Sequence, residues 1–129
     1  MKIGFFTDCY LTTGSGFDIS VESFRKKLEE MGNEVYVFAP FHRGYKDKNP
    51  RVFRYHGIKV VKKPEIYLAL PLPQINSLKE FEKIRKIKLD IVHSHSPFTL
   101  VILGKYVANQ QKIPIVYTHH TQYPEYAKF

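Results

Sequence analysis

Asp90-Ile-Val-His-Ser-His-Ser-Pro-Phe98 and Ile113-Pro-Ile-Val-Tyr-Thr-His-His-Thr121 are two apolar runs, each ending in a histidine cluster. Read as buried parallel strands, they open both clusters at the carboxyl edge of one sheet, where doubly wound α/β folds place their ligands. Lys2-Ile-Gly-Phe-Phe-Thr7 reads as a first strand that converges on the same edge. The turn Thr12-Thr-Gly-Ser-Gly16 follows it, ahead of a helical stretch.

Outward from these runs, Val21, Phe24, Leu28 and Met31 form the apolar stripe of an amphipathic helix over Asp18 to Met31. Asp18 or Ser20 caps it and Gly32 ends it. Asn33-Glu-Val-Tyr-Val-Phe-Ala39 is a second strand stopped by Pro40, and strand, helix, strand in this order predicts a right-handed parallel crossover. Residues 41–51 read as a polar loop, and Val52 to Lys62 as a short strand or hairpin at the sheet edge. Ala69-Leu-Pro-Leu-Pro73 carries two prolines and reads as an extended apolar loop. A helix over 75–88 follows, then a strand over 90–94. Ser96 and Pro97 open a helix over 97–110 whose Leu100, Val101, Ile102, Leu103 and Val107 predict burial, and a strand over 113–118 comes last. The fold class is α/β: one Rossmann-like, doubly wound parallel sheet with helices on both faces. The last strand falls at an unprotected sheet edge, which suggests a piece of something longer.

The 129 residues suffice for one domain with a core. A hydrophobic fraction of 43% and a charged fraction of 25% belong to an ordinary globular protein rather than a disordered one. No apolar run approaches the ~20 residues of a membrane span. Asp8 interrupts the first apolar run, so no signal peptide is read and the cytoplasm is the expected compartment. Cys9, the one cysteine, excludes an intramolecular disulfide and a cysteine zinc site, and reads as a small buried residue at a strand end. Twenty Lys and Arg against twelve Asp and Glu give a net charge of +8, which implies an acidic partner.

Each candidate site admits two readings. A glycine turn before a helix lets Gly14 and Gly16 bring backbone N–H groups to an anion, or is a plain tight turn. Asp18 close by would repel a phosphate. His93 and His95 are two apart and share one face of a strand, which is metal-ligand spacing with a third nitrogen from His119 or His120. No carboxylate stands near either motif, and hydrolases with this spacing need a larger barrel, so no metal is expected. The other reading of these histidines is a structural cap on a strand end, while His42 and His56 read as exposed loop residues. Lys79, Lys83, Arg85 and Lys86, with Lys88, form either a solvated helix face or an attachment to an anionic membrane surface. The apolar loop before them would supply an inserting contact. No aromatic platform is interleaved with these charges, so nucleic acid is not expected.

Lys2-Ile-Gly-Phe-Phe-Thr-Asp8 with Tyr10-Leu11, Gly16, Ser20 to Phe24, Gly32-Asn-Glu-Val-Tyr-Val-Phe-Ala-Pro40, His93-Ser-His-Ser-Pro-Phe98 and Thr118-His-His-Thr121 together resemble a known family. They look like the N-terminal, acceptor-side domain of family 4 retaining glycosyltransferases, closest to those that glucosylate diacylglycerol or related lipids. The resemblance implies the GT-B arrangement of two Rossmann-like domains around a cleft, with residues 1–129 as part of the first and the nucleotide-sugar domain absent. It sets Gly14 and Gly16 in the loop near the donor's diphosphate, His120 in a Thr-x-His-Thr pattern beside the transferred sugar, and Tyr10, His93 and His95 on the acceptor side. It implies no cofactor, with a nucleotide-sugar such as UDP-glucose as substrate and a lipid or sugar hydroxyl as acceptor. A peripheral position on the inner face of the plasma membrane follows, as does a partner chain carrying the missing domain. One wall of such a cleft should not catalyse alone, since a developing oxocarbenium ion and a leaving diphosphate need groups from both walls. A non-catalytic anion- or nucleotide-binding α/β module is the alternative.

Overall fold

The computed structural model describes residues 1–12, 14–61, 66–69 and 78–120. The elements run β1 (Lys2–Phe6), α1 (Gly16–Glu30), β2 (Glu34–Pro40), β3 (Val52–Tyr55), β4 (Gly57–Val61), β5 (Ile66–Ala69), α2 (Leu78–Lys86), β6 (Ile91–Ser94), α3 (Thr99–Gln111) and β7 (Ile115–Tyr117). Five strands form one sheet in the order β3-β2-β1-β6-β7, every neighbouring pair parallel. The chain winds outward from β1 to β3 and then returns to the other side of β1, so the order reverses between β1 and β6. This is the doubly wound, Rossmann-like sheet expected from the sequence, and the reversal is its switch point.

Strand alternation sends the two apolar sets to opposite faces. Ile3, Phe5, Val35 and Val37 pack with Val21, Phe17 and Leu28 of α1. Phe6, Phe38 and Val92 pack with Leu100, Leu103 and Val107 of α3. Across β1, β2 and β3 the register partners Phe6, Phe38 and Phe53 stack, with ring centroids 4.5 and 5.3 Å apart. Gly104 lets α3 lie close against the switch point, since a Cβ there would sit 3.0 Å from Phe6 Cγ and 3.2 Å from Val92 Cγ1.

Several local expectations are corrected. Ser15 caps α1 by accepting the Asp18 amide, so the helix starts before Asp18 and Ser20 rather than at them. Of the expected stripe, Val21 is buried while Phe24 and Met31 are exposed. Helix α3 begins at Thr99, because Ser96 turns its hydroxyl to Asp8 instead of capping. Only one side of α3 is buried: Ile102 and Tyr106 lie open to solvent. The segment after Val52 first extends the main sheet as β3 and then leaves it, as β4 pairs antiparallel with β5 in a separate ladder. Gly57 permits that departure, since a Cβ would fall 1.9 Å from the Leu68 carbonyl oxygen. Ala69 ends β5, and residues 70–73 of the expected apolar loop lie outside the described residues, as do 75–77 of the expected helix. Cys9 is half-buried.

Candidate active site at the carboxyl edge

Strands β6 and β7 are parallel neighbours in the register His93 to Val116 and Ser94 to Tyr117. Their alternation therefore carries His93, His95, Thr118 and His120 to one face, and two side-chain bonds form between the chains. His93 Nε2 lies 2.6 Å from Thr118 Oγ1, and His95 Nδ1 lies 3.0 Å from His120 Nε2. The rings pack in sequence, His93 on His95 at 4.0 Å and His95 beside His120 at 5.3 Å. Phe5 underlies His93 and His95 from β1, and α1 contributes Phe17 against His120 and Phe24 close to all three. The sequence convergence of these histidines is thus realised, while His119 takes the other side and faces Tyr117.

Depth separates the three. His95 is 1% exposed, whereas His93 and His120 are half-buried. Burial, reinforced by His93 and His120, holds the His95 imidazole down to about 2. Burial and then His120 lower His93, and burial and then His119 lower His120. All three rings are therefore neutral near pH 7. Neutral imidazoles orient hydroxyls and other neutral polar groups through one donor and one acceptor each. They do not supply positive charge to an anion.

The two helix N-termini beside the switch point are each met by an internal carboxylate. Asp8, directly after β1, accepts from the Ser96 and Thr99 hydroxyls and from the amides of Phe98 and Leu100, all at the start of α3. A carboxylate there satisfies orphan amides and the helix dipole together. At α1, buried Asp18 accepts the Gly14 amide at 3.1 Å. Gly14 thus gives its N–H to the chain itself, and Gly16 faces open space. The sequence gives Asp8 no role as a cap: it reads there as a charge that interrupts an apolar run and as part of the motif that carries the family resemblance. Its place just past the carboxyl end of the central strand was the available signal.

Tyr10, expected on the acceptor side, is 1% exposed. Its hydroxyl bonds Glu22, Arg54 lies over its ring, and burial first and Glu22 second raise its phenol pKa. The structure does not bring it to the histidine edge. Lys83, Arg85 and Lys86 are exposed at the end of α2, anchored by buried Ile84, and Lys79 lies four residues earlier on the same helix. Among the described residues no group of three or more His, Cys, Asp or Glu is arranged to hold a metal ion. Among them no helix is long and apolar enough to cross a membrane.

Comparison with known proteins agrees with this architecture. The chain is 39% identical over 131 residues to an alpha-monoglucosyldiacylglycerol synthase of Acholeplasma laidlawii, covering 100% of this chain and 32% of that protein. It is 32% identical over 133 residues to the enzyme of the same name from Streptococcus pneumoniae, covering 100% of this chain and 29% of that one. The sulfoquinovosyl transferase SQD2 of Arabidopsis thaliana is 29% identical over 116 residues, covering 87% and 21%. The chain therefore spans about a third or less of the length of the curated relatives it matches. Residues 14–129 match the Glycosyltransferase Family 4 domain, and with the parallel sheet and its histidine edge already in place, the chain belongs to glycosyltransferase family 4.

Proposed function

We propose that these residues form the acceptor-side wall of a retaining glycosyltransferase that moves a hexose, glucose by analogy with the relatives' names, from a nucleotide-sugar to a lipid hydroxyl. The observation that supports this reading is the neutral histidine ladder at the carboxyl edge, ending in half-buried His120. A polar, uncharged edge suits a sugar. The neighbouring helix ends, already met by Asp8 and Asp18, do not suit a stand-alone anion-binding module. In this reading His120 touches the transferred sugar, and half-buried His93 borders the acceptor. The basic end of α2 rests on an anionic membrane surface, at the cytoplasmic face, from which the lipid is drawn. The diphosphate is gripped by groups outside these 129 residues, on a further domain or a partner chain, so the chain by itself does not turn over.

The test is an exchange. This chain replaces the matching segment of the Acholeplasma laidlawii relative, and the chimera is given UDP-glucose and diacylglycerol in anionic vesicles. Glucosylated lipid from the chimera and none from the chain alone is the expected result. A chimera that folds and binds donor yet transfers nothing would count against the assignment, and sustained turnover by the chain alone would overturn the two-wall requirement.

A further inference from the structure

The bond between His95 and His120 has a property that depends on where His95 is buried. A neutral imidazole carries one N–H and one lone pair, so a ring-to-ring bond has two arrangements. In the first, His95 Nδ1–H donates to His120 Nε2. His95 Nε2 is then a bare lone pair, and the proton of His120 sits on Nδ1. In the second, His120 Nε2–H donates to His95 Nδ1, and the proton of His95 must sit on Nε2.

His95 Nε2 decides between them. It is buried and has no hydrogen-bond partner among the described residues. The second arrangement would leave an N–H orphaned there, and orphaned buried N–H groups are rarer in folded proteins than under-used acceptors. The Phe5 ring, 4.4 Å away and tilted by 57°, offers such a donor no more than a weak N–H···π contact. His93 does not compete for His120, because its own Nε2 is engaged by Thr118. We infer that His95 is a positioning residue that holds His120 in its Nδ1–H form, so that His120 presents a hydrogen-bond donor, not an acceptor, to the ligand. The ligand clause rests on the glycosyl-transfer reading above; the tautomer does not. Through it the buried member of the ladder orients the half-buried one, as a hydrogen-bond partner on one ring nitrogen orients catalytic imidazoles elsewhere. The group offered to the sugar is then a donor aimed at an electron-rich oxygen.

Long-range 1H–15N correlation of the histidine rings in the full 129-residue chain tests this directly. His120 is expected to show a pyrrole-type Nδ1 and a pyridine-type Nε2. His95→Asn, whose side-chain amide replaces the Nδ1–H donor, should keep that pattern. His95→Leu, with similar bulk and no donor, should shift His120 toward the Nε2–H form. A wild-type His120 protonated at Nε2 would overturn the inference without any variant, so the test stands even where the Leu variant does not fold. An unchanged Nδ1–H pattern in a folded His95→Leu chain, checked by its backbone amide spectrum, would also overturn it. Because these spectra need no substrate, their failure is separable from a failure of the chimera to transfer glucose.

Discussion

The Asp8 amide donates to the Ser96 hydroxyl at 2.7 Å and that hydroxyl donates back to the Asp8 carboxylate, a two-way bond between residues 88 apart across the switch point. The same carboxylate takes the amides of Phe98 and Leu100. Asp8→Ala removes a buried acceptor from several donors at once, and a loss of about 2–3 kcal/mol is expected, the scale of charged hydrogen bonds and stranded donors. Asp8→Asn should lose less, since it keeps one acceptor oxygen. Urea unfolding measures both, and an unmoved midpoint for the alanine variant would show that water replaces the carboxylate.

The neutral ladder gives stability a direction with pH. His93, His95 and His120 all bind protons less readily in the fold than in the unfolded chain, whose value is about 6.5. Below that value the unfolded state holds more protons, so stability falls as pH drops, with deeply buried His95 approaching the limit of about 1.4 kcal/mol per pH unit and the half-buried His93 and His120 adding less. Burial alone would raise the Glu22 carboxyl, but its bonds from Arg25 and Tyr10 outweigh that and lower it, so it acts only in more acid solution. Urea midpoints between about pH 7.5 and about pH 5 isolate the histidines. His95→Leu should flatten the slope, and a flat wild-type profile would mean that the rings charge inside the fold.

Alternation past the end of β7 separates two adjacent histidines by consequence. In the active chimera, His120→Ala should cut kcat by about 100-fold or more, the scale of one well-placed polar group, with little change in donor affinity. His119→Ala, on the Tyr117 side, should be mild. Equal losses that track a fall in Tm would mark the pair as structural.

What the sequence reveals and what it hides divides along locality. Apolar runs with turn residues at their ends disclose β1, β2, β6 and β7, and their common carboxyl edge discloses the meeting of His93 and His95 with His120. The depth of His95 is not visible, because a histidine on a strand reads the same whether its ring is covered or open. The partners of Asp8 lie 88 to 92 residues away, outside any local pattern. Ser96-Pro97 is a sound local helix start, overridden because the acceptor for the first turn is Asp8, from the loop after β1. The departure of β4 from the main sheet turns on the missing Cβ of Gly57, a matter of tertiary approach.

The basic end of α2 makes a prediction about membranes. Replacing Lys79, Lys83 and Lys86 with Gln should weaken binding to anionic vesicles by about tenfold or more, from ~1 kcal/mol per basic residue near the surface. The salt dependence should fall in parallel, because exposed charges are screened. Cosedimentation with vesicles at two salt concentrations reads both, and unchanged binding would return the cluster to a solvated face.

At the sheet edge, β7 exposes Ile115, Val116 and Tyr117 to 41–43%. An exposed apolar edge strand pairs with whatever chain reaches it. The chain is expected to self-associate at high concentration, and Val116→Lys should reduce this. Sedimentation velocity checks it, a monomeric wild-type chain being the contrary result.

The long reach of Asp8 also sets an order of assembly. Helix α3 has no side-chain bond from its own N-cap residue, Phe98, and its first turn is completed by Asp8, just past the end of β1. That turn gains its carboxylate only after the first strand has docked beside β6, a closure of some 90 residues that local helix formation cannot substitute. The cap of the first turn, though not the body of the helix, is thus conditional on that docking. The opening turn reports whether the two halves of the sheet have met.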